Sequence, residues 1–326
     1  MKHIILSGIQ PTGNFHIGNY LGAIKNWVDL QNSGEYQCFI MIADLHSLTG
    51  DMSADDRRSQ ITKTAAELLA VGIDPGKTTL FVQSHVPAHT ELAWIFNCVT
   101  SVAELERMTQ YKDKSARQAS NINTGLFTYP VLQSADILLY HGTHVPVGED
   151  QVQHVELTRD IAKKFNKRFG AYFTEPKALL TETPRVKSLL EPTSKMSKSK
   201  GRGHVIELAD EPAVIEAKLK KAVTATEGGS ISPGVENLLL LLRHFGNDAQ
   251  YEEFVISEKD GSIRYGDLKK AVADGIAEHF ASFRERRKEL LDNHNMIADI
   301  LIDGASRAHE IAKRTMHDVR TLVGIR

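Results

Sequence analysis

Residues 10–19 read Gln-Pro-Thr-Gly-Asn-Phe-His-Ile-Gly-Asn and follow a short apolar run, Ile4 to Leu6. Gly13 and Gly18 let backbone approach a ligand closely, and a helix beginning near Gly18 offers free N–H groups to an anion. Thr12, His16 and Asn19 add uncharged or switchable donors, and the loop holds no carboxylate. That chemistry suits polyphosphate, although a plain strand-to-helix turn with one surface histidine fits the string equally well. Much later, Lys195-Met196-Ser197-Lys198-Ser199 leads into Lys200, Gly201, Arg202 and Gly203. Two ammonium groups flanking a small centre are what a departing diphosphate requires, and a solvated basic loop is the bland alternative. Two unit charges about 4 Å apart attract by roughly 4 kcal/mol at an effective dielectric near 20. That attraction grows as charge develops on a leaving group.

The elements that must hold these segments follow from periodicity. Ile4–Leu6, Cys38–Ile42, Thr79–Val82 and Val145–Val147 read as strands, each bounded by turn residues. Between them lie helical stripes: Ile17, Leu21, Ile24 and Val28; then Ile61, Ala65 and Leu68 behind a Ser53 cap; then Val152, Ile161 and Phe165. Strands alternating with helices predict an α/β fold, a doubly wound parallel sheet covered on both faces. Ligands of such sheets bind at the carboxyl ends of the strands, so the loops after Leu6, Ile42 and Val147 are the informative ones. From about residue 204 strand signals fade and helical patterns run to the end.

Composition narrows the class. With 326 residues, 41% hydrophobic and 25% charged, the chain is an ordinary folded protein long enough for two domains. Its net charge of −2 demands no nucleic-acid partner. Basic clusters at Lys163, Lys164, Lys167 and Arg168, and at Arg284, Arg286, Arg287 and Lys288, permit one without requiring it. The amino terminus is too short in apolar residues for a signal peptide, and the densest apolar run, Leu238–Leu242, cannot cross a bilayer. Cys38 and Cys98 match no metal-ligand spacing and read as buried free thiols of a cytoplasmic protein.

The two chemical segments together resemble the paired signatures of the class I aminoacyl-tRNA synthetases: a His-Ile-Gly-His-like string, here ending in Asn19, and a complete Lys-Met-Ser-Lys-Ser. Further blocks, among them ELERMTQYKDKSAR, YPVLQSADILLY and PVGEDQVQHVELTRDIAKKFN, look like the tryptophanyl branch of that family and span nearly the whole chain. The resemblance implies a Rossmann-like nucleotide-binding domain over residues 1–203 and a smaller all-helical, anticodon-binding domain over 204–290. The assignment of the last helices, 291–326, stays open. It further implies ATP with Mg²⁺ held mainly by the phosphates, tryptophan and tRNA(Trp) as substrates, a homodimer, no membrane partner, and no metal held by the protein.

Site residues follow from the same blocks. Gln10, Pro11, Thr12, Gly18 and Asn19 would lie along ATP, with Gly148, Glu149 and Asp150 at the ribose and nearby phosphate and Val186 at adenine. Lys114, Lys195 and Lys198 would grip the triphosphate tail; with His16 they are the catalytic candidates, and Met196, Ser197 and Ser199 complete the loop. Asp136 would accept the indole N–H, while Tyr129 and Gln151 hold the α-ammonium. Leu6, Ala43, His46, Gln133, Val145 and Val147 would wall the side-chain pocket. Gln133 stands where the family often has methionine, and Ala43-Asp44-Leu45-His46 and Lys200 also depart from common strings. A polar Gln133 leaves tyrosine as an alternative substrate. A small-molecule nucleotidyltransferase is the remoter alternative, and a non-catalytic RNA-binding relative a third.

Overall fold

The computed structural model describes residues 2–109, 122–180, 184–224 and 232–325; Lys114 lies outside the described residues. The chain forms two compact units, one of Met1–Gly13, Asn26–Thr181 and Leu290–Arg326, the other of Asn14–Lys25 and Glu182–Glu289. Among the described residues the helices run α1 Ile17–Asn19, a π-helical turn Tyr20–Ile24, α2 Lys25–Ser33, α3 Asp44–Ser47, α4 Ala54–Ala70, α5 Ala88–Asn97 and α6 Val102–Glu106. They continue with α7 Thr124–Leu139, α8 Val152–Phe169, α9 Pro212–Lys220, α10 Pro233–Phe245, α11 Asp248–Asp260, α12 Tyr265–His279, α13 Ala281–Asp292 and α14 His294–Val323.

The first unit is built on a parallel five-stranded sheet: β1 His3–Ile9, β2 Tyr36–Ile42, β3 Thr78–Val82, β4 His144–Val147 and β5 Lys177–Leu180. Its order is β3-β2-β1-β4-β5. The chain winds outward from β1 to β3, then returns to start again at β4. The direction of winding therefore reverses between β1 and β4, the crevice where such sheets take ligands. Near-continuous apolar strands such as Cys38-Phe39-Ile40-Met41-Ile42 are buried throughout, as helices on both faces require. Four strands match the sequence expectation to within two residues at each end, except that β1 runs three residues past Leu6. β5 is an addition; Lys-Ala-Leu-Leu has no β-branched residue, lies at an edge and is half-exposed, so it carries little pattern.

Helix starts follow local chemistry. Ser53 caps α4, its hydroxyl accepting from the Asp56 N–H at 3.1 Å, and Asn123 caps α7 by accepting from the Leu126 N–H at 2.9 Å. The final helix, α14, belongs to the sheet-bearing unit. Ile297, Leu301, Gly304, Ala305, Ala308, Ala312, Met316 and Val319 make its buried stripe. The small residues let it lie directly on β3: a Cβ at Gly304 would come 1.8 Å from the Leu80 carbonyl oxygen. One expectation needs correction. Cys38 is buried, with its thiol raised to about 11 by burial, but Cys98 caps the end of α5 and is exposed. No helix among the described residues is long and apolar enough to cross a membrane.

The second unit is helical around Leu238, Leu241 and Leu242 of α10 and Leu268, Val272 and Ile276 of α12, all buried. Residues 14–25 belong to it and are fastened at two places. Ile17 N–H donates to the Ile206 carbonyl at 3.0 Å, and Leu208 N–H to the Phe15 carbonyl at 2.9 Å. Tyr20 packs edge-on against Phe280, ring centroids 5.0 Å apart, and its hydroxyl lies 3.2 Å from His279 Nε2.

Candidate active site

The two chemical segments, about 180 residues apart in sequence, meet inside the second unit. His16 precedes α1 and caps it reciprocally: its Nδ1 accepts from the Asn19 N–H at 3.3 Å, while Asn19 Oδ1 accepts from the His16 N–H at 3.1 Å. This explains why asparagine serves in the last place of the string. It also assigns the imidazole proton to Nε2, since a neutral ring accepts at one nitrogen and donates at the other. The ring is indeed neutral. Burial, then the charges of Lys198 and Lys195, lower its pKa to about 4.

Val186, Lys187 and Ser188 pair with Met196, Lys195 and Ser194 as a short antiparallel ladder, with Met196 N–H donating to the Val186 carbonyl at 3.0 Å. Val186 and Met196 are buried, which leaves the Lys195 side chain exposed and Lys198 half-buried. Lys198 Nζ donates to the Asn14 carbonyl at 2.5 Å. A Cβ on Gly18 would lie 3.0 Å from the His16 ring and 3.7 Å from Met196 Cβ. Glycine there keeps the two segments in contact. Ser197 and Ser199 hydroxyls lie 2.9 Å apart at the turn, and Lys200 is held by Glu191 and by Ser194 Oγ.

In the first unit the residues expected to bind an amino acid gather around α7. Asp136 is 1% exposed. Its Oδ2 accepts from His46 Nε2 at 2.7 Å; its Oδ1 accepts from His89 Nδ1 at 2.6 Å and from Gln83 Nε2 at 2.8 Å. Gln83 is oriented by the Leu45 N–H, which donates to its Oε1 at 3.2 Å. His89 Nε2 in turn meets the Tyr140 hydroxyl at 2.8 Å. Burial alone would raise the Asp136 carboxyl; hydrogen bonds from His46 and His89 and their charges outweigh it and hold the group at about 2. Asp136 is therefore an ionised acceptor inside the core. It is interior to α7 rather than capping it.

Tyr129 lies two turns before Asp136 on α7, its hydroxyl 3.0 Å from His154 Nε2 on α8. Gln133 sits half-buried between them; Leu6 and Val145 are buried within β1 and β4, and Ala43 and Val147 at the carboxyl ends of β2 and β4. Gln151 closes the short helical turn that Gly148 begins, with its amide 3.2 Å from Asp150; Glu149 and Asp150 are exposed. Pro11 is buried, and Thr12 N–H closes onto the Gln10 carbonyl at 2.9 Å. Gly13 ends that turn with φ +95°, which a side chain disfavours. His46 and Tyr129 also form part of the wall of a cavity of about 350 Å³ that opens beside Leu48, Leu132 and Trp94.

Sequence reasoning missed Gln83, His89, Tyr140 and His154, the groups that orient the expected contacts. Tyr140 and His154 lie within the family-like blocks. Gln83 and His89 stand in no motif, and only the folded chain brings them to Asp136.

The arrangement has known counterparts. Residues 1–281 match the family described as tRNA synthetases class I (W and Y), and the chain belongs to that family. Its relatives in that family include tryptophan enzymes. A Streptomyces avermitilis protein named tryptophan--tRNA ligase 2 is 47% identical, with 98% of this chain and 96% of that one aligned. The tryptophan--tRNA ligase of Corynebacterium efficiens is 44% identical over 98% and 94%. The Campylobacter jejuni tryptophanyl-tRNA synthetase, solved in complex with ADP and tryptophan, superposes with a TM-score of 0.87 at 35% identity, covering 98% and 99% of the two chains. The tyrosyl-tRNA synthetase of Archaeoglobus fulgidus, 21% identical with a TM-score of 0.70, shares the fold.

Proposed function

We infer that the chain is a tryptophan–tRNA ligase: it joins tryptophan to the α-phosphorus of ATP with release of diphosphate, then passes the tryptophanyl group to tRNA(Trp) with release of AMP. The observation that carries this reading is the meeting of the two signature segments, with Lys198 on the Asn14 carbonyl beside a neutral His16. Full-length relatedness to tryptophan ligases supports the choice of amino acid.

The amino-acid carboxylate is ionised at neutral pH and attacks phosphorus directly, so activation needs no general base. As the new carboxyl–phosphorus bond forms, the bond to diphosphate breaks and charge accumulates on the leaving oxygens. Lys195 and Lys198 stabilise that charge, together with Lys114 as the sequence proposes, and His16 contributes its Nε2–H. Positioning does the remaining work. Gln10, Pro11, Thr12, Gly18, Asn19 and the Gly148–Asp150 turn are assigned to ATP, with Val186 at adenine. In the other substrate's pocket, Asp136 accepts from the indole nitrogen, and Tyr129 and Gln151 accept from the ammonium group. Among the described residues no group of three or more His, Cys, Asp or Glu is placed to hold a metal ion. Mg²⁺ fits as an ion carried by the nucleotide's own phosphates, neutralising part of their charge.

We assign anticodon reading to the helical unit, where single-stranded bases would stack and offer their edges. We also assign the chain to the cytoplasm and to a homodimer. The apolar face around Leu48, 56% exposed, and Trp94, 71% exposed, flanks the 350 Å³ cavity and suits a second copy of the chain. Lys198→Ala is expected to lower tryptophan activation several hundredfold, because losing one preorganised charge contact costs about 3–4 kcal/mol in the transition state. Tryptophan binding should change little. Stopped-flow activation and equilibrium binding check both halves, and activation at the normal rate would remove the loop from the mechanism.

A further inference from the structure

A polar seam joins α7 to α8. Tyr129 and His154 form one rung, phenol oxygen to Nε2 at 3.0 Å. Ser134 and Thr158 form the next, hydroxyl to hydroxyl at 2.9 Å. The Thr158 hydroxyl also donates to the His154 carbonyl at 2.8 Å, which holds that turn of α8 in place. Tyr129 is 7% and His154 1% exposed, their ring centroids 5.5 Å apart.

An ammonium group only donates hydrogen bonds, whereas a phenol has one proton and two lone pairs. A tyrosine that holds an ammonium must therefore send its own proton elsewhere. Burial pushes the Tyr129 phenol up to about 12, so it keeps that proton at neutral pH. His154 Nε2, 3.0 Å away, accepts it when the ring carries its proton on Nδ1.

We propose that His154 is a positioning residue for the substrate's α-ammonium: its Nε2 accepts the hydrogen bond donated by the Tyr129 hydroxyl and thereby turns the phenolic lone pairs toward the amino acid. The proposal rests on the assignment of Tyr129 to the ammonium. His154 itself touches no substrate. With the acceptor removed, the phenol proton is released to point at the ammonium, and the contact is lost or reversed.

The test compares tryptophan with indole-3-propionate, which keeps the ring and carboxylate and lacks the ammonium. Binding of both and tryptophan-dependent pyrophosphate exchange are measured on wild type, His154→Leu, His154→Gln, Tyr129→Phe and the Leu/Phe double variant. His154→Gln can place an amide oxygen near the Nε2 position. His154→Asn, whose shorter amide stops short of the phenol, is the second loss variant should the leucine form fail to fold. Loss of a hydrogen bond to a charged group predicts a tryptophan KM raised about 10- to 100-fold in His154→Leu, with kcat within about threefold. Indole-3-propionate should bind within about twofold of wild type, and His154→Gln should recover most of the loss. On the Tyr129→Phe background, His154→Leu should add nothing further.

Equal losses for both ligands would make His154 a packing residue and overturn the proposal, as would an unchanged tryptophan KM in His154→Leu beside a raised one in Tyr129→Phe. Unaltered tryptophan binding in Tyr129→Phe would instead sink the assignment of Tyr129, and the role of His154 with it.

Discussion

Asp136 and His16 are buried groups whose ionisation is set by opposite surroundings. Asp136 keeps its charge because donors from His46, His89 and Gln83 converge on it. His16 stays neutral because it is buried near two lysines. Replacing Asp136 by alanine leaves those three donors without their acceptor and removes the partner of the indole N–H. We expect tryptophan kcat/KM to fall by about 2–4 kcal/mol, roughly 30- to 1,000-fold, with a loss of folding stability in parallel. Exchange kinetics and urea unfolding measure the two effects, and unchanged tryptophan kinetics would remove Asp136 from recognition.

The His16 pKa carries a stability consequence of definite sign. A histidine whose folded value lies below its unfolded 6.5 binds more protons when unfolded, so stability falls as pH drops from 6.5 toward 4. Between pH 7 and 4.5 His16 should account for about 2 kcal/mol. His141, His144, His244 and His279 are also lowered, chiefly by burial, and add losses of the same sign. Asp136 responds later, as pH falls from 3.8 toward 2. His16→Asn keeps a capping acceptor and loses the titration. Its unfolding free energy should therefore decline about 2 kcal/mol less than wild type over the same range, and parallel pH curves would contradict the assignment.

At the scale of elements, α14 shows how a helix is fixed by small residues. The sequence showed a helical pattern here, but such a pattern says nothing about its partner. The partner is revealed by Gly304 against the Leu80 carbonyl. Backbone cannot yield by an ångström at little cost, so Gly304→Ala should cost about 3 kcal/mol or displace α14 from β3, as overpacking does. Thermal melts measure the loss, and a neutral substitution would show that the helix sits farther from the strand. The same contrast runs through the fold. β1 to β4 were legible because β-branched runs between turns need no distant partner to announce them. Helix α7 carries Pro130 and is apolar on several sides, so its periodicity is weak. Both signatures were legible as strings. The rungs behind them, Gln83 and His89 on Asp136 and His154 on Tyr129, join residues 25 to 53 apart and exist only once the chain has folded.

For the whole molecule, the division of labour between units makes one claim central. The helical unit brings together the lysines and the neutral histidine suited to a leaving diphosphate. The sheet unit surrounds a single ionised acceptor with fixed donors, an arrangement suited to an indole N–H, which can only donate. A tyrosine hydroxyl can also donate to a carboxylate, so the acceptor by itself does not decide between the two amino acids; kinship with the tryptophan ligases does. Amino-acid-dependent exchange of labelled pyrophosphate into ATP, run side by side with tryptophan, tyrosine and phenylalanine on the intact chain, tests this most directly. The account predicts exchange with tryptophan at least about a hundredfold above either competitor in kcat/KM: phenylalanine leaves the buried acceptor unpaired, and preference over tyrosine follows from the kinship. Preference for tyrosine, or no exchange with any of the three, would contradict it.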